Sequence, residues 1–154
     1  MKRRTVVSLL VILSLGFACD ILYDCENERK THFEVGFYQV REGIVSDSVV
    51  DSVNVYGVTR PDSLILNAAR NVQSMVLPLN PGSDTAVFVI ILDETKTELS
   101  VYYERKPEFI SDECGLAMKY RILNAGYQNE ASDSLEITEE TVDELETEHI
   151  RIYL

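Results

Sequence analysis

From residue 32 onward, apolar and polar residues alternate with a period of two. In "HFEVGFYQV", Phe33, Val35 and Phe37 oppose Glu34, Gly36 and Tyr38. In "TELSVYYER", Leu99, Val101 and Tyr103 oppose Glu98, Ser100 and Tyr102. "GLAMKYRI" sets Leu116, Met118, Tyr120 and Ile122 against Lys119 and Arg121, and "HIRIYL" repeats the pattern with Ile150, Ile152 and Leu154. Successive side chains of a strand point to opposite faces, so this period predicts strands with one buried side. "TAVFVIIL", Thr85 to Leu92, is apolar on both faces and reads as a central strand covered on both sides.

Further strands are expected at about 51–58, 63–67, 72–79 and 134–138. Turn residues punctuate the chain at Arg60-Pro61-Asp62, Asn80 to Asp84, Asp93 to Lys96 and Lys106-Pro107-Glu108. Only Thr141–Leu145 suggests a helical turn. About nine short strands with regular turns predict an all-β fold, an antiparallel β-sandwich that is Ig-like in architecture. With no Trp, the Cys…Trp…Cys pattern of antibody domains is missing. A hydrophobic content of 45% supplies a core for one domain.

The N-terminus is of another kind. Met-Lys-Arg-Arg precedes an apolar run from Val6 to Phe17, the layout of a secretory signal peptide. The run is shorter than the roughly 20 residues of a membrane span, and Asp20 and Asp24 follow it. Ala18-Cys19 resembles the cleavage site of bacterial lipoproteins. Gly16 stands where such signals usually have Leu, and Phe17 is bulky for its place. The expected organisation is a lipoprotein signal peptide at 1–18, a lipidated tether at 19–31 and one β-sandwich domain at 32–154. On that reading Cys19 carries acyl chains, each buried methylene adding about 0.8 kcal/mol to membrane binding. The competing reading is an ordinary secretory signal with Cys19 as a bystander. If Cys19 is acylated, Cys25 and Cys114 are the two thiols left to an oxidising compartment, and an even count predicts a disulfide between them. Otherwise Cys114 is a buried apolar thiol and Cys25 is free.

Cleavage after residue 18 removes three cations and no acid, taking the formal net charge from −12 to −15. That charge argues against nucleic acid as a partner. The expected contacts are a membrane, through the N-terminal lipid, and another envelope protein. Acids are densest near the C-terminus, at Glu130, Asp133, Glu136, Glu139, Glu140, Asp143, Glu144, Glu146 and Glu148. Such a run is most often a solvated face, with calcium or a cationic partner as the alternative.

The order "FYQV", "VNVYGVTRPDSLIL", "SMVLPLNPGSDTAVFVI", "LSVYYERKPEFISDECG" and "HIRIYL" resembles a family of small Bacteroidota lipoproteins catalogued as a domain of unknown function (DUF6452). The resemblance runs from about Cys25 to the end. Leu77 to Asn80, Glu113 to Gly115 and the closing strand are its most specific parts. It implies a secreted, lipid-anchored β-domain and brings no activity or catalytic residues.

No motif argues for an enzyme. His32 and His149 each open a strand without a ligand partner at a recognised spacing and read as strand-edge surface histidines, so no metal or cofactor is expected. There is no EF-hand loop and no G-x-S-x-G. Acidic neighbours make Cys114 a poor nucleophile. Among 26 acids, candidate glycosidase pairs carry no information. Tyr38, Tyr102 and Tyr153 fall on polar sides and offer a candidate ligand face, although strand propensity alone accounts for them. Asp-(Ser/Thr)-apolar triplets give candidate O-glycosylation at Ser48, Ser52, Ser63, Thr85 and Ser134. The same triplets also suit turns entering strands. The expected function is an uncharacterised envelope protein acting as a binding or assembly module. A carbohydrate- or calcium-binding accessory protein is the alternative, and an enzyme comes third.

Overall fold

The computed structural model describes Cys25, Thr31 and residues 33–128, 134–143 and 147–154. Cys19 and the signal segment, His32, and the acids Glu130, Asp133, Glu144 and Glu146 lie outside the described residues. The strands are β1 (Phe33–Arg41), β2 (Ile44–Asp47), β3 (Val50–Gly57), β4 (Leu64–Val72), β5 (Ser74–Leu77), β6 (Thr85–Leu92), β7 (Thr95–Ser111), β8 (Gly115–Gln128), β9 (Ser134–Ile137), β10 (Thr141–Val142) and β11 (Glu148–Tyr153). One sheet runs β2-β1-β11-β9, with β5 sharing the β2 edge of β1, and the other runs β10-β8-β7-β6-β3-β4. The two pack as a β-sandwich.

The alternation explains the core. Phe33, Val35 and Phe37 of β1 and Ile150 and Ile152 of β11 join Phe88, Ile90, Leu99, Val101, Tyr103 and Ile122 in one buried cluster. Each such side chain contributes roughly 1.5–3 kcal/mol relative to exposure. In β6 the consecutive residues Phe88, Val89 and Ile90 are all buried, as expected of a strand covered on both faces.

The structure departs from the sequence expectation at definite places. There are eleven strands among the described residues, not nine. The additions are β2, whose four residues are all exposed, and the two-residue β10. Neither has room for a legible alternation. Thr141 and Val142, expected in a helical turn, instead pair with Arg121 and Tyr120 of β8. Lys106-Pro107-Glu108 is no break: β7 runs through it, with Pro107 opposite Met118. Pairing between β6 and β7 ends at Thr85 and Tyr102. Pro107 therefore lies where β7 has a single neighbour among the described residues, the placement that tolerates a residue without an N–H. The turn comes later, at Asp112 to Cys114, where Gly115 takes a φ of +72°. β8 continues to Gln128 across an irregularity opposite Tyr102 and Tyr103. Finally, β1 and β11 pair parallel, whereas every other ladder is antiparallel.

Cys25 and Cys114 form a disulfide, with Cα atoms 5.2 Å apart across a sequence separation of 89. Cys114 is fully buried, and its N–H donates to Ser111 Oγ at 3.0 Å. Closing so long a loop stabilises the fold by up to about 4–5 kcal/mol in the chain-entropy model. Alkylation mapping under denaturing, non-reducing conditions should find neither thiol reactive. Reduction should lower Tm by about 5–15 °C. Two reactive thiols at Cys25 and Cys114, or an unchanged Tm, would contradict the bridge.

Candidate functional site

Beyond Tyr102 the β7–β8 hairpin leaves its neighbour β6, keeps β10 beside Arg121 and Tyr120, and past Tyr120 runs on as an arm whose only described strands are β7 and β8. Its base holds a half-open groove of about 1150 Å³, lined by Asp84, Tyr103, Arg105, Lys106, Lys119 and Arg121 among others, with Thr141 and Asp143 at one side. Four of the chain's 14 cations gather here.

The loop from Asn80 to Asp84 forms a wall, and β7 ties it down. The Tyr103 hydroxyl accepts from the Asn80 N–H at 3.0 Å and donates to the Asn80 carbonyl at 3.1 Å. Arg105 donates through Nη1 to the Pro81 carbonyl at 2.8 Å and through Nε to Asp84 at 2.5 Å. Burial pushes the phenols of Tyr103 and Tyr120 upward, and their rings meet edge to face at 5.4 Å. Leu77 and Leu79 anchor the start of this wall in the core, which gives the Leu-Pro-Leu-Asn stretch a structural role. Opposite it, Arg121 pairs with Glu104 at 2.8 Å, and Lys106 faces Lys119 across the ladder.

The outer face of the first sheet carries a second polar cluster. Tyr38 donates to both Glu148 oxygens, at 3.0 and 2.8 Å. Arg151 Nε donates to the same carboxylate at 2.7 Å, and its guanidinium lies 4.8 Å from the centroid of the Tyr38 ring. Tyr153 donates to Glu136 at 2.6 Å, with its ring 6.0 Å from that of Tyr38. Burial, then the Glu148 contact, raises the Tyr38 pKa, while the Glu136 contact leads the rise at Tyr153. Gly36 makes the arrangement possible: a Cβ there would meet the Glu148 carboxylate and lie 2.9 Å from Tyr38 Cε2. Two of the three expected tyrosines thus come together, but a guanidinium covers one face of Tyr38 and a carboxylate holds each hydroxyl. Tyr102 lies on the other sheet, opposite Asn124.

His149 corrects the sequence reading. It is fully buried, not a surface residue. Glu34 pairs with Glu148 and Val35 with Ile150, so His149 is the extra residue of a bulge. A bulge re-aims the side chain it carries. The Glu34 N–H lies 3.3 Å from Nδ1, and Nε2 lies 3.0 Å from the Thr141 carbonyl. An N–H can only be met by an acceptor and a carbonyl only by a donor, which sets the neutral tautomer protonated at Nε2. Burial lowers the His149 pKa below the ordinary 6.5; the Thr141 carbonyl and the charges of Glu139, Asp143 and Glu34 oppose that shift without reversing it.

The other expected residues are dispersed. Ser48, Ser52 and Thr85 are half-buried, and Ser63 and Ser134 are exposed. The Ser52 backbone N–H donates to Asp93 Oδ1 and the Thr85 backbone N–H to Ser83 Oγ. Among the described residues no group of three or more His, Cys, Asp or Glu is placed to hold a metal ion.

The sign of the His149 shift fixes a pH dependence. As pH falls through about 6.5 the unfolded chain takes up a proton on His149, and the folded chain does so only at lower pH. The stabilisation from the neutral imidazole is therefore complete above that value and drains away as pH falls toward the folded pKa. Tm should drop between about pH 7 and pH 5. A His149→Gln variant should be weaker at pH 7 by roughly 2–4 kcal/mol and show a shallower drop. Equal slopes in the two proteins would contradict the assignment.

No curated protein and no solved structure matches this chain at significant similarity. A family profile described as "Family of unknown function (DUF6452)" matches residues 52–154, from within β3 to the last residue of β11 and beyond it to Leu154. That span takes in the arm, the groove, His149 and Cys114, and begins later than the resemblance read from the sequence. The chain belongs to this family of unknown function.

Proposed function

We propose that this protein is a lipid-anchored, non-enzymatic binding or assembly module of the bacterial cell envelope, on the periplasmic side or at the outer membrane. The basic, apolar and Ala-Cys order of residues 1–19 supports the anchor. The family assignment adds no chemistry to this reading.

The groove at the base of the arm carries the binding role. Two ion pairs stand on its rim, Asp84 with Arg105 and Glu104 with Arg121. Its wall is held by the Tyr103 hydroxyl. Ion pairs this exposed contribute about 0–1 kcal/mol to stability, so their main effect is to fix the rim's shape and charge pattern. A preformed surface with Leu123 exposed beside paired charges suits recognition of another protein. Ser63 and Ser134 are the acceptor sites where a glycan would meet solvent.

A photo-crosslinking side chain at Leu123 in the native envelope should give one dominant adduct with another envelope protein, and Arg105→Glu should abolish it. Adducts unaffected by Arg105→Glu, or none at all, would contradict the role of the groove. Intact mass from the native host should show residues 1–18 removed and Cys19 acylated. An unmodified Cys19 would remove the anchor. Mass beyond polypeptide plus lipid would report glycosylation.

A further inference from the structure

The end of the β7–β8 arm is an unusual place for apolar side chains. Past the pairing of Val142 with Tyr120, no described strand flanks it. There Phe109 and Leu116 stand opposite each other on one face, 61% and 64% exposed. Pro107 and Met118 are the next pair on that face; Glu108 and Ala117 form the pair between them on the other face, and Lys106 and Lys119 follow Pro107 and Met118 toward the base. A large exposed apolar pair in a chain of net charge −12 calls for a partner surface.

The disulfide indicates which surface. Cys114, in the turn that closes the arm, is bonded to Cys25. Cys25 follows Cys19 by six residues. Six residues reach at most about 20 Å even when fully extended, and the bridge adds 5.2 Å between Cα atoms. An acyl anchor on Cys19 therefore keeps the end of the arm within a short distance of the bilayer, whatever the rest of the domain does. The exposed apolar pair sits at the one end of the fold that is leashed there.

We infer that the tip of the β7–β8 arm docks on the phospholipid bilayer that holds the anchor, burying Phe109 and Leu116 at the headgroup–acyl boundary. The inference rests on the proposed acylation of Cys19. Lys106 and Lys119 are set back from the apolar pair, where long cationic side chains extend to lipid phosphates. Asp112 and Glu113 in the turn and Glu108 on β7 oppose an anionic surface, so the contact is apolar in origin. The acyl chains and the tip then form two attachment points, which fixes how the domain stands on the membrane.

The chain contains no Trp, so Phe109→Trp places a single reporter at the tip. Ile44→Trp, at the exposed first residue of β2, is the control. Each full-length protein is purified from the envelope of its expression host and reconstituted into phosphatidylethanolamine-rich vesicles containing lipids brominated on their acyl chains. The vesicles should float with both proteins. The Phe109→Trp reporter should shift to the blue and lose most of its emission, and the loss should persist at about 1 M salt, where screening acts over about 3 Å. The Ile44→Trp reporter should be unaffected. Protein that fails to float overturns the anchor and this inference with it. Floating protein with an unquenched Phe109→Trp reporter overturns the tip contact alone. A blue shift without quenching overturns it in favour of contact between copies of the chain or with another protein.

Discussion

One neutral imidazole holds the two sheets in register at their shared corner. His149 belongs to β11, accepts from the backbone of β1 and donates to the carbonyl of Thr141 in β10, which is part of the other sheet. Its own carbonyl accepts from the N–H groups of Thr138 and Glu139. A ring that must accept on one nitrogen and donate on the other cannot serve both contacts as a cation. Burial keeps it neutral although Glu34, Glu139 and Asp143 favour the charged form. Leaving either backbone partner unmet in the interior would cost about 1–3 kcal/mol.

The bulge at His149 also organises the outer face of the first sheet. It follows directly on Glu148, whose carboxylate lies over Gly36 and collects Tyr38 and Arg151. The first and last strands are thereby joined twice, by the parallel ladder and by this side-chain cluster. On the other side of the sandwich, the arm is held at its base by the groove network and at its end by the bridge to Cys25. Cys25 is thus covalently fixed to the far end of the second sheet.

Much of the fold is legible from alternation because each face of a strand meets one environment. β1, β6, β7 and β11 carry long, regular patterns and are found where the period places them. β2 and β10 escape because short, exposed strands at sheet edges owe their pairing to backbone groups, which leave no side-chain signature. Pro107 reads as a break because the sequence does not say that β7 has lost one neighbour by that point. The Cys25–Cys114 bridge follows from counting thiols once Cys19 is set aside. His149 was not legible as a buried pin. Its position in the period puts it on the outer face, and only the extra residue in the ladder turns it inward. The groove was equally hidden, since Asp84, Arg105 and Arg121 are separated in sequence and meet only through the β6–β7–β8 meander.

The protonation state of His149 tests this account most directly. Nitrogen NMR of the two histidine rings, assigned with a His32→Gln variant, reads both tautomer and titration. The account predicts that His149 stays neutral with its proton on Nε2 from pH 8 down to below its ordinary value of about 6.5. A His149 ring that titrates near 6.5 with fast tautomer exchange, as a solvent-exposed imidazole does, would contradict it.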